Sequence, residues 1–306
     1  MPPFLELTAR DARAALEALG VDAGTEPAVE ARDGRTIVRL AGGRIAFFAS
    51  SAEGLERLRR ERHVLRLIDR HCGFRVPRVQ RVSDDGCVDV REMVPGSLEP
   101  WAVYDMVRRD RALARPLGQA IGAILAEQHT RLPIAELRTF MPDRPEWPEP
   151  NAWILERLPR VVADDGLVDA ARSLLERRDT LEPPAAPVLV HGDLGFHNLG
   201  MDGDPLTVRG VFDYDGAALA DHQLDFRYLL FDMEGTELFD EARVVYEERT
   251  GRRVQLERVQ LENAACALSF LAYRDGVPPE AGSCGRTLAQ DLEWSRAALQ
   301  RSGLAI

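Results

Sequence analysis

Lysine is absent from the 306-residue chain: all 39 of its basic residues are arginines. That excludes any mechanism needing a lysine amine, whether as a Schiff base, a general base or a compact phosphate ligand. Cysteine is scarce too. Cys72, Cys87, Cys266 and Cys284 lie far apart with no C-x-x-C pair, so neither a zinc ribbon nor a disulfide framework is expected. Apolar runs reach only about five residues, against the ~20 that a membrane helix needs. The N-terminus, Met1-Pro2-Pro3-Phe4-Leu5-Glu6, brings an acid early and has no basic start leading into an apolar stretch, so no secretory signal is expected. A basic excess is also missing. With 50 acidic residues against 39 basic ones the net charge is −11, which argues against a nucleic-acid partner and favours neutral or cationic small molecules. The expectation is a cytoplasmic protein with reduced thiols, no nucleic-acid or membrane partner, and an oligomeric state that the sequence leaves open.

What is present suffices for a sizeable core: 45% of residues are hydrophobic and 29% charged, which fits one large domain or two lobes. Residues 7–20 read as a helix capped by Thr8. Residues 36–40 and 44–48 flank Ala41-Gly42-Gly43 and read as two antiparallel strands joined by a tight turn. Ser50 with Glu53 forms a capping-box signature ahead of a helix carrying Leu55, Leu58, Leu65 and Ile68. Two further strands are predicted at 76–82 and 87–93. After Pro95-Gly96 the pattern turns helical, with Leu117, Ile121, Ile124 and Leu125 on one face of a helix ending near His129. Four prolines between Pro142 and Pro150 mark a loop.

Two short apolar strands each run into an acid. Val188-Leu189-Val190 leads to His191-Gly192-Asp193, with Asn198 five positions after that Asp, and residues 208–212 lead to Asp213. An H-x-D-x-x-x-x-N loop facing a strand-terminal Asp is the arrangement of phosphoryl-transfer sites in kinases. One carboxylate accepts a hydroxyl proton, while an amide oxygen and a second carboxylate offer hard oxygens to Mg²⁺. Asp215 competes with Asp213 for the metal role; Asp213 is preferred because it directly ends the strand. His191 reads as structural.

The segments Val190 to Asn198, Val211 to Asp215 and Asp221 to Phe226 resemble the aminoglycoside phosphotransferase and choline kinase family, a branch of the protein-kinase-like fold. Arg60-Glu61-Arg62 is similar to the family's helix glutamate, and Glu92-Met93-Val94-Pro95-Gly96 to its interlobe hinge. The resemblance implies an α+β, two-lobed fold with a small antiparallel sheet lobe and a larger, mostly helical lobe. Residues 1–93 would form the nucleotide-binding lobe and 94–306 the catalytic and substrate lobe, with a hinge at about 92–96. It further implies Asp193 as catalytic base, Asn198 and Asp213 as Mg²⁺ ligands, backbone contacts from Glu92 and Val94 to the base of ATP or GTP, and Asp225 as a brace for the catalytic loop. The acceptor would be the hydroxyl of a small molecule beside that loop. Asp221, Asp232, Glu234, Glu237, Asp240 and Glu241 suit a cationic acceptor, and Phe226, Tyr228, Phe231 and Phe239 suit either a cation cage or the core.

One family position is broken. The phosphate-gripping lysine of the third strand aligns with Phe48, which has no donor. Either the grip has moved to a neighbouring strand, with Arg39 first, Arg44 second and Glu61 as partner, or the strand register differs by a residue or two, or Mg²⁺ alone suffices. The remaining alternative is a catalytically impaired pseudokinase that binds a small ligand or partner. No G-x-G-x-x-G loop occurs; Asp33-Gly34-Arg35 offers phosphate contacts there, or only a hairpin turn.

Overall fold

The computed structural model describes residues 7–24, 27–32, 34–181, 186–203, 206–231, 233, 235–279 and 286–303; Asp33, Asp232, Glu234 and Cys284 lie outside the described residues. Helix α1 (Ala9–Ala18) starts at Thr8, whose Oγ1 accepts from the Asp11 N–H at 3.2 Å while the Thr8 N–H donates back to Asp11 at 3.4 Å. Strands β1 (Val29–Arg32), β2 (Arg35–Leu40) and β3 (Arg44–Ala49) follow, then helix α2 (Ala52–His71) and strands β4 (Arg78–Val82) and β5 (Val88–Glu92). The five strands form one antiparallel sheet in the order β1-β2-β3-β5-β4. The β2–β3 turn passes through Gly42 and Gly43 at φ of 74° and 67°, a left-handed pair that glycine adopts without strain.

Successive strand residues point to opposite faces, and here both faces are covered. Val38, Ala46, Phe48, Val88 and Val90 pack with Ala12 and Leu16 of α1 on the outer face. Ile37 and Phe47 pack with Leu58 of α2 on the inner face, which also carries Arg35, Asp89 and Arg91 by strand alternation and register. The residue turned toward the α2 glutamate is thus Phe47, one position before the Phe48 expected from the sequence. The apolar pattern could not separate them, since both are buried. The α2 cap also moves by one: Ser51, not Ser50, accepts from the Gly54 N–H at 2.9 Å. Ser50 instead donates its N–H to Gly34 O at 2.9 Å, so no capping box with Glu53 forms.

The larger part contains helices α3 (Pro100–Arg109), α4 (Ala114–Arg131), α5 (Ile134–Leu137), α6 (Asn151–Val161) and α7 (Asp165–Thr180), then strands β6 (Val188–Val190), β7 (Leu199–Gly203), β8 (Leu206–Val211) and β9 (Ala218–Ala220). Helices α8 (Arg227–Phe231), α9 (Leu238–Thr250), α10 (Leu256–Ala272) and α11 (Leu288–Arg301) complete it. This is the expected two-lobed α+β arrangement. Strand β6 pairs with β9 and β7 with β8, both antiparallel. Val64, Leu65, Leu67 and Ile68 of α2 belong to the same core as α4 and the strands β7 and β8, which fastens the glutamate-bearing helix to the larger part. A second core joins α6, α7, α10 and α11. Among the described residues Cys72, Cys87 and Cys266 are free, and burial pushes the Cys72 thiol up to about 12, leaving it protonated. No described helix is long and apolar enough to cross a membrane.

Helices α4 and α9 approach closely because Gly118 and Gly122 have no side chain: a Cβ there would lie 2.4 Å from Leu238 O and 2.3 Å from Ala242 O. Gly122→Val is expected to force the helices apart, at a cost of about 1–3 kcal/mol or more. Thermal unfolding checks this, and an unchanged Tm would refute the close-packing account.

Candidate active site

The loop after β6 is built around one buried carboxylate. Asp225, within a 3₁₀ turn at His222–Phe226, accepts from the backbone N–H groups of His191 at 3.0 Å and Gly192 at 2.8 Å. From the end of α4, His129 Nε2 reaches it at 3.1 Å and Gln128 Nε2 at 3.3 Å. Gln128 also donates to Leu189 O at 3.0 Å and accepts from the Tyr214 hydroxyl at 2.8 Å. Burial alone would raise the Asp225 pKa, but the hydrogen bond and charge of His129, with His191 and the Gly192 N–H, outweigh it and hold the carboxyl below the usual range. Arg227 Nη2 ties the same loop by donating to Gly192 O. His191 is structural, as expected: its Nε2 donates to Phe212 O at 2.9 Å, and its Nδ1 accepts from the Asp193 N–H at 3.3 Å.

This bracing presents Asp193, whose side chain is 47% exposed. Asn198 Nδ2 donates to Asp193 O at 2.8 Å and to Asp193 Oδ2 at 3.1 Å, and His197 Nε2 contacts the same carboxylate oxygen at 3.2 Å. Burial works against ionisation of Asp193, but His197, Tyr228 and the Arg227 charge more than compensate and hold its pKa well below the usual carboxylate range. Burial and the adjacent Asp193 charge push the Tyr228 phenol up, so it stays a donor. The β8 strand is joined to this loop by the Phe212 N–H, which donates to Asn198 O at 3.0 Å. Asp213 follows at φ 66°, ψ 56°, the one non-glycine residue among those described with positive φ. Such a conformation is uncommon outside glycine and clusters at functional sites. It turns the carboxylate of Asp213 into a cavity of about 170 Å³ that Asp193 also lines, together with Arg35, Arg57, Trp147 and Tyr228.

The roof of that cavity differs from the sequence expectation. Glu61, on α2, is buried, but its partners are Arg91 of β5 at 2.8 Å and Arg35 of β2 at 3.2 Å. Arg39 does not meet it. It lies four residues further along β2, ~13 Å from Arg35 at strand rise, with a 74% exposed side chain 3.9 Å from Glu30. Arg44 is spent in its own turn, its Nε donating to Ala41 O at 3.0 Å. Arg91 is held on both sides, by Glu61 and by Asp89 at 2.9 Å, and lies 4.4 Å over the Phe47 ring. Asp215 is not available to a metal in this arrangement: Arg35 Nη2 contacts its Oδ2 at 2.6 Å, Arg57 Nη2 the same oxygen at 2.8 Å, and Arg57 Nε its Oδ1 at 3.0 Å.

In the segment expected to be the hinge, Glu92 ends β5, Met93 N donates to Gly43 O at 2.9 Å, and the Val94 N–H makes no hydrogen bond among the described residues. On the acceptor side the sequence candidates separate. Glu237 and Glu241 each pair with Arg115 at 3.0 Å and Asp240 with Arg243 at 3.2 Å, on the surface. Asp221 caps the turn that carries Asp225 and pairs with Arg258. None of the four lines the Asp193 cavity. Asp232, Glu234 and the Phe231 side chain are outside the described residues. Phe226 and Phe239 belong to the core, and only Tyr228 lines the cavity. Its other walls come from residues the sequence did not single out: Glu146 and Trp147 of the proline-rich loop, and Phe270 of α10, stacked on Trp147 at 4.3 Å. The only local signal for Glu146 and Trp147 was the loop itself, and Phe270 had none.

The phosphotransferase enzyme family matches the chain over residues 17–257. Among solved structures, the GDP complex of wild-type aminoglycoside 2'-phosphotransferase-IIIa is 18% identical, with 97% of this chain and 98% of that chain covered and a TM-score of 0.66. The apoenzyme of macrolide 2'-phosphotransferase MphH from Brachybacterium faecium is 20% identical, with 94% and 97% covered and a TM-score of 0.64. The streptomycin-ATP-APH(2")-IIa ternary complex is 14% identical, with 98% and 99% covered and a TM-score of 0.64. At these identities the likeness is one of fold. No curated protein matches the chain in sequence.

The depressed pKa of Asp225 makes stability depend on pH with a definite sign. Its contribution is present above the unfolded carboxylate value of about 3.9 and is lost as pH falls through the lower folded value. Asp225→Asn is expected to lower Tm at pH 7 and to flatten the loss of stability on acidification below about pH 5. Melts of both proteins over that range test it, and equal acid slopes would remove Asp225 from the account.

Proposed function

The chain belongs to the phosphotransferase enzyme family and is a kinase of the small-molecule type; from that premise we propose that it transfers the γ-phosphoryl group of ATP or GTP to a hydroxyl of a small, cationic acceptor, with Mg²⁺. The observation carrying this reading is that Asp193 and Asp213 line one cavity, while Asn198 bonds Asp193 through its side chain and Phe212 through its carbonyl. The GDP and ATP complexes among the solved relatives support a nucleoside triphosphate donor without choosing between the two bases.

The donor set fits Mg²⁺. No group of three or more His, Cys, Asp or Glu suited to a metal occurs among the described residues, and Mg²⁺ needs only one or two protein oxygens beside substrate phosphates. Asp213 offers its carboxylate. Asn198 uses its amide nitrogen on Asp193, which leaves its oxygen as a hard ligand. When bound, the ion neutralises charge on the phosphate oxygens.

The residues of the chain do the rest. Asp193 stays ionised and accepts the acceptor's hydroxyl proton, held in place by Asn198, His197 and Tyr228. Glu92 and Val94 suit the nucleotide base through backbone groups, and the unbonded Val94 N–H supports that role. Glu146, half exposed and paired with Arg57 at 3.1 Å, lines the cavity beside the Trp147–Phe270 stack, and together they offer a carboxylate and an aromatic wall to an ammonium-bearing acceptor. This replaces the four acids that lie away from the cavity as the basis for a cationic acceptor. The intact Asp193, Asn198 and Asp213 set weighs against a non-catalytic binding protein.

Asp193→Asn is expected to lower kcat by about 10²–10⁴-fold while nucleotide affinity stays unchanged, read by a coupled ADP or GDP assay and by calorimetry. Retained turnover would remove Asp193 as the base. In an acceptor panel, amino sugars and amino alcohols should outperform neutral sugars, and preference for neutral or anionic acceptors would overturn the cationic assignment.

A further inference from the structure

Arg35 is the least exposed cation of the cavity. It is 4% exposed, and its Nε has no hydrogen-bond partner among the described residues although it is buried. Its two terminal nitrogens work in different directions. Nη1 contacts Glu61 at 3.2 Å, while Nη2 contacts Asp215 at 2.6 Å and lies 3.9 Å from Asp213. The guanidinium also sits 5.6 Å from the Phe47 ring centroid, and that ring occupies the inner-face position of β3 facing α2. Arg57, from the first half of α2, joins the cluster from the solvent side, its Nη2 reaching both Asp215 at 2.8 Å and Glu146 at 3.1 Å. Two arginines from the sheet lobe thus converge on one carboxylate of the helical lobe, beside the carboxylate assigned to Mg²⁺.

Resting on the phosphotransferase reading above, we propose that Arg35, oriented by Glu61, is the residue with which this chain grips the nucleotide's phosphates, with Arg57 assisting, and that Asp215 is the counter-ion the phosphates displace. The chemistry is an exchange of anions on a fixed guanidinium fork. Arginine presents several donors in one plane and matches phosphate as well as carboxylate, so a polyphosphate can take over the Nη2 bonds now made to Asp215. Arg91 cannot play this part, because Glu61 and Asp89 enclose its guanidinium. Arg39 and Arg44 cannot either, since they lie toward the turn at the hinge end of β2. Glu61 holds Arg35 by its second nitrogen throughout and remains paired to Arg91 when Arg35 is removed. The phenylalanine at the inner face of β3 is then a spacer under the arginine.

The test is calorimetry of Mg·ATP, Mg·GTP and the corresponding free nucleosides on wild type, Arg35→Ala, Arg57→Gln and Asp215→Asn, with melts to verify folding. Arg35→Ala is expected to weaken the triphosphate by ~10–100-fold, the range of a charge-assisted bond, and to leave the nucleoside unchanged. Arg57→Gln should weaken it less. Asp215→Asn, which removes the competing anion, should tighten the triphosphate several-fold. An equal loss for nucleoside and triphosphate in Arg35→Ala would mark a structural role and overturn the proposal, as would an unchanged triphosphate Kd. Should Arg35→Ala not fold, Asp215→Asn decides alone: unchanged or weaker triphosphate binding overturns the exchange. Wild type that binds and turns over neither triphosphate would instead defeat the phosphotransferase reading itself.

Discussion

A carboxylate removed from water must find donors or become neutral, because an uncompensated buried charge costs several kcal/mol. Asp225 meets that demand with donors drawn from separate stretches of chain: the backbone after β6 and two side chains from the end of α4. His129 carries the connection on to Tyr246 of α9 at 3.0 Å. Satisfying one buried charge therefore determines where the loop after β6 lies against helices α4 and α9. The position of Asp193 follows from it, since its neighbours His191 and Gly192 are the groups held. Asn198 and Phe212 then pass the same constraint to the strand that delivers Asp213.

The second buried layer, between the sheet and α2, obeys the same rule with the signs mixed. Glu61, Arg91, Asp89 and Arg62 neutralise one another on the inner face. In a chain with no lysine, every buried cation carries a planar fork able to serve two carboxylates at once, and Arg91 and Arg35 both do so. A relaxed division of labour results. Arg91 braces the helix glutamate from inside, and Arg35 spans from that glutamate to the cavity. The absence of lysine, which looks like a feature of composition when counted along the chain, becomes a feature of the site's geometry here.

The parts of the site that were legible were local. Asp193 and Asn198 are five residues apart on one loop, and Asp213 terminates an apolar strand, so their convergence needed only two strand assignments. The Thr8 cap and the Ala41-Gly42-Gly43 turn were equally local. Where two adjacent residues were both plausible, the sequence misjudged them. Ser50 and Ser51 are both competent caps, and Phe47 and Phe48 are both buried, so composition could not say which faced α2. The acidic residues near the C-terminal helices suit a cationic acceptor by composition, yet Glu237, Asp240 and Glu241 have arginine partners on the surface. Pairing of this kind joins residues more than 100 positions apart for Arg115 and its partners, and no periodicity marks it.

By itself the sequence determined the α+β class, the loop that carries Asp193 and Asn198 and the residue types that carry charge, because turn signals, strand-terminal acids and apolar period are properties of neighbouring residues. Only the tertiary structure decided which arginine reaches Glu61, which carboxylate Arg35 and Arg57 share, and which aromatic residues wall the cavity. Those choices depend on strand register and on the packing of α2 against both parts. A shift of one residue turns a side chain to the opposite face of a sheet, and a buried charge accepts whichever partner the packed chain brings within reach.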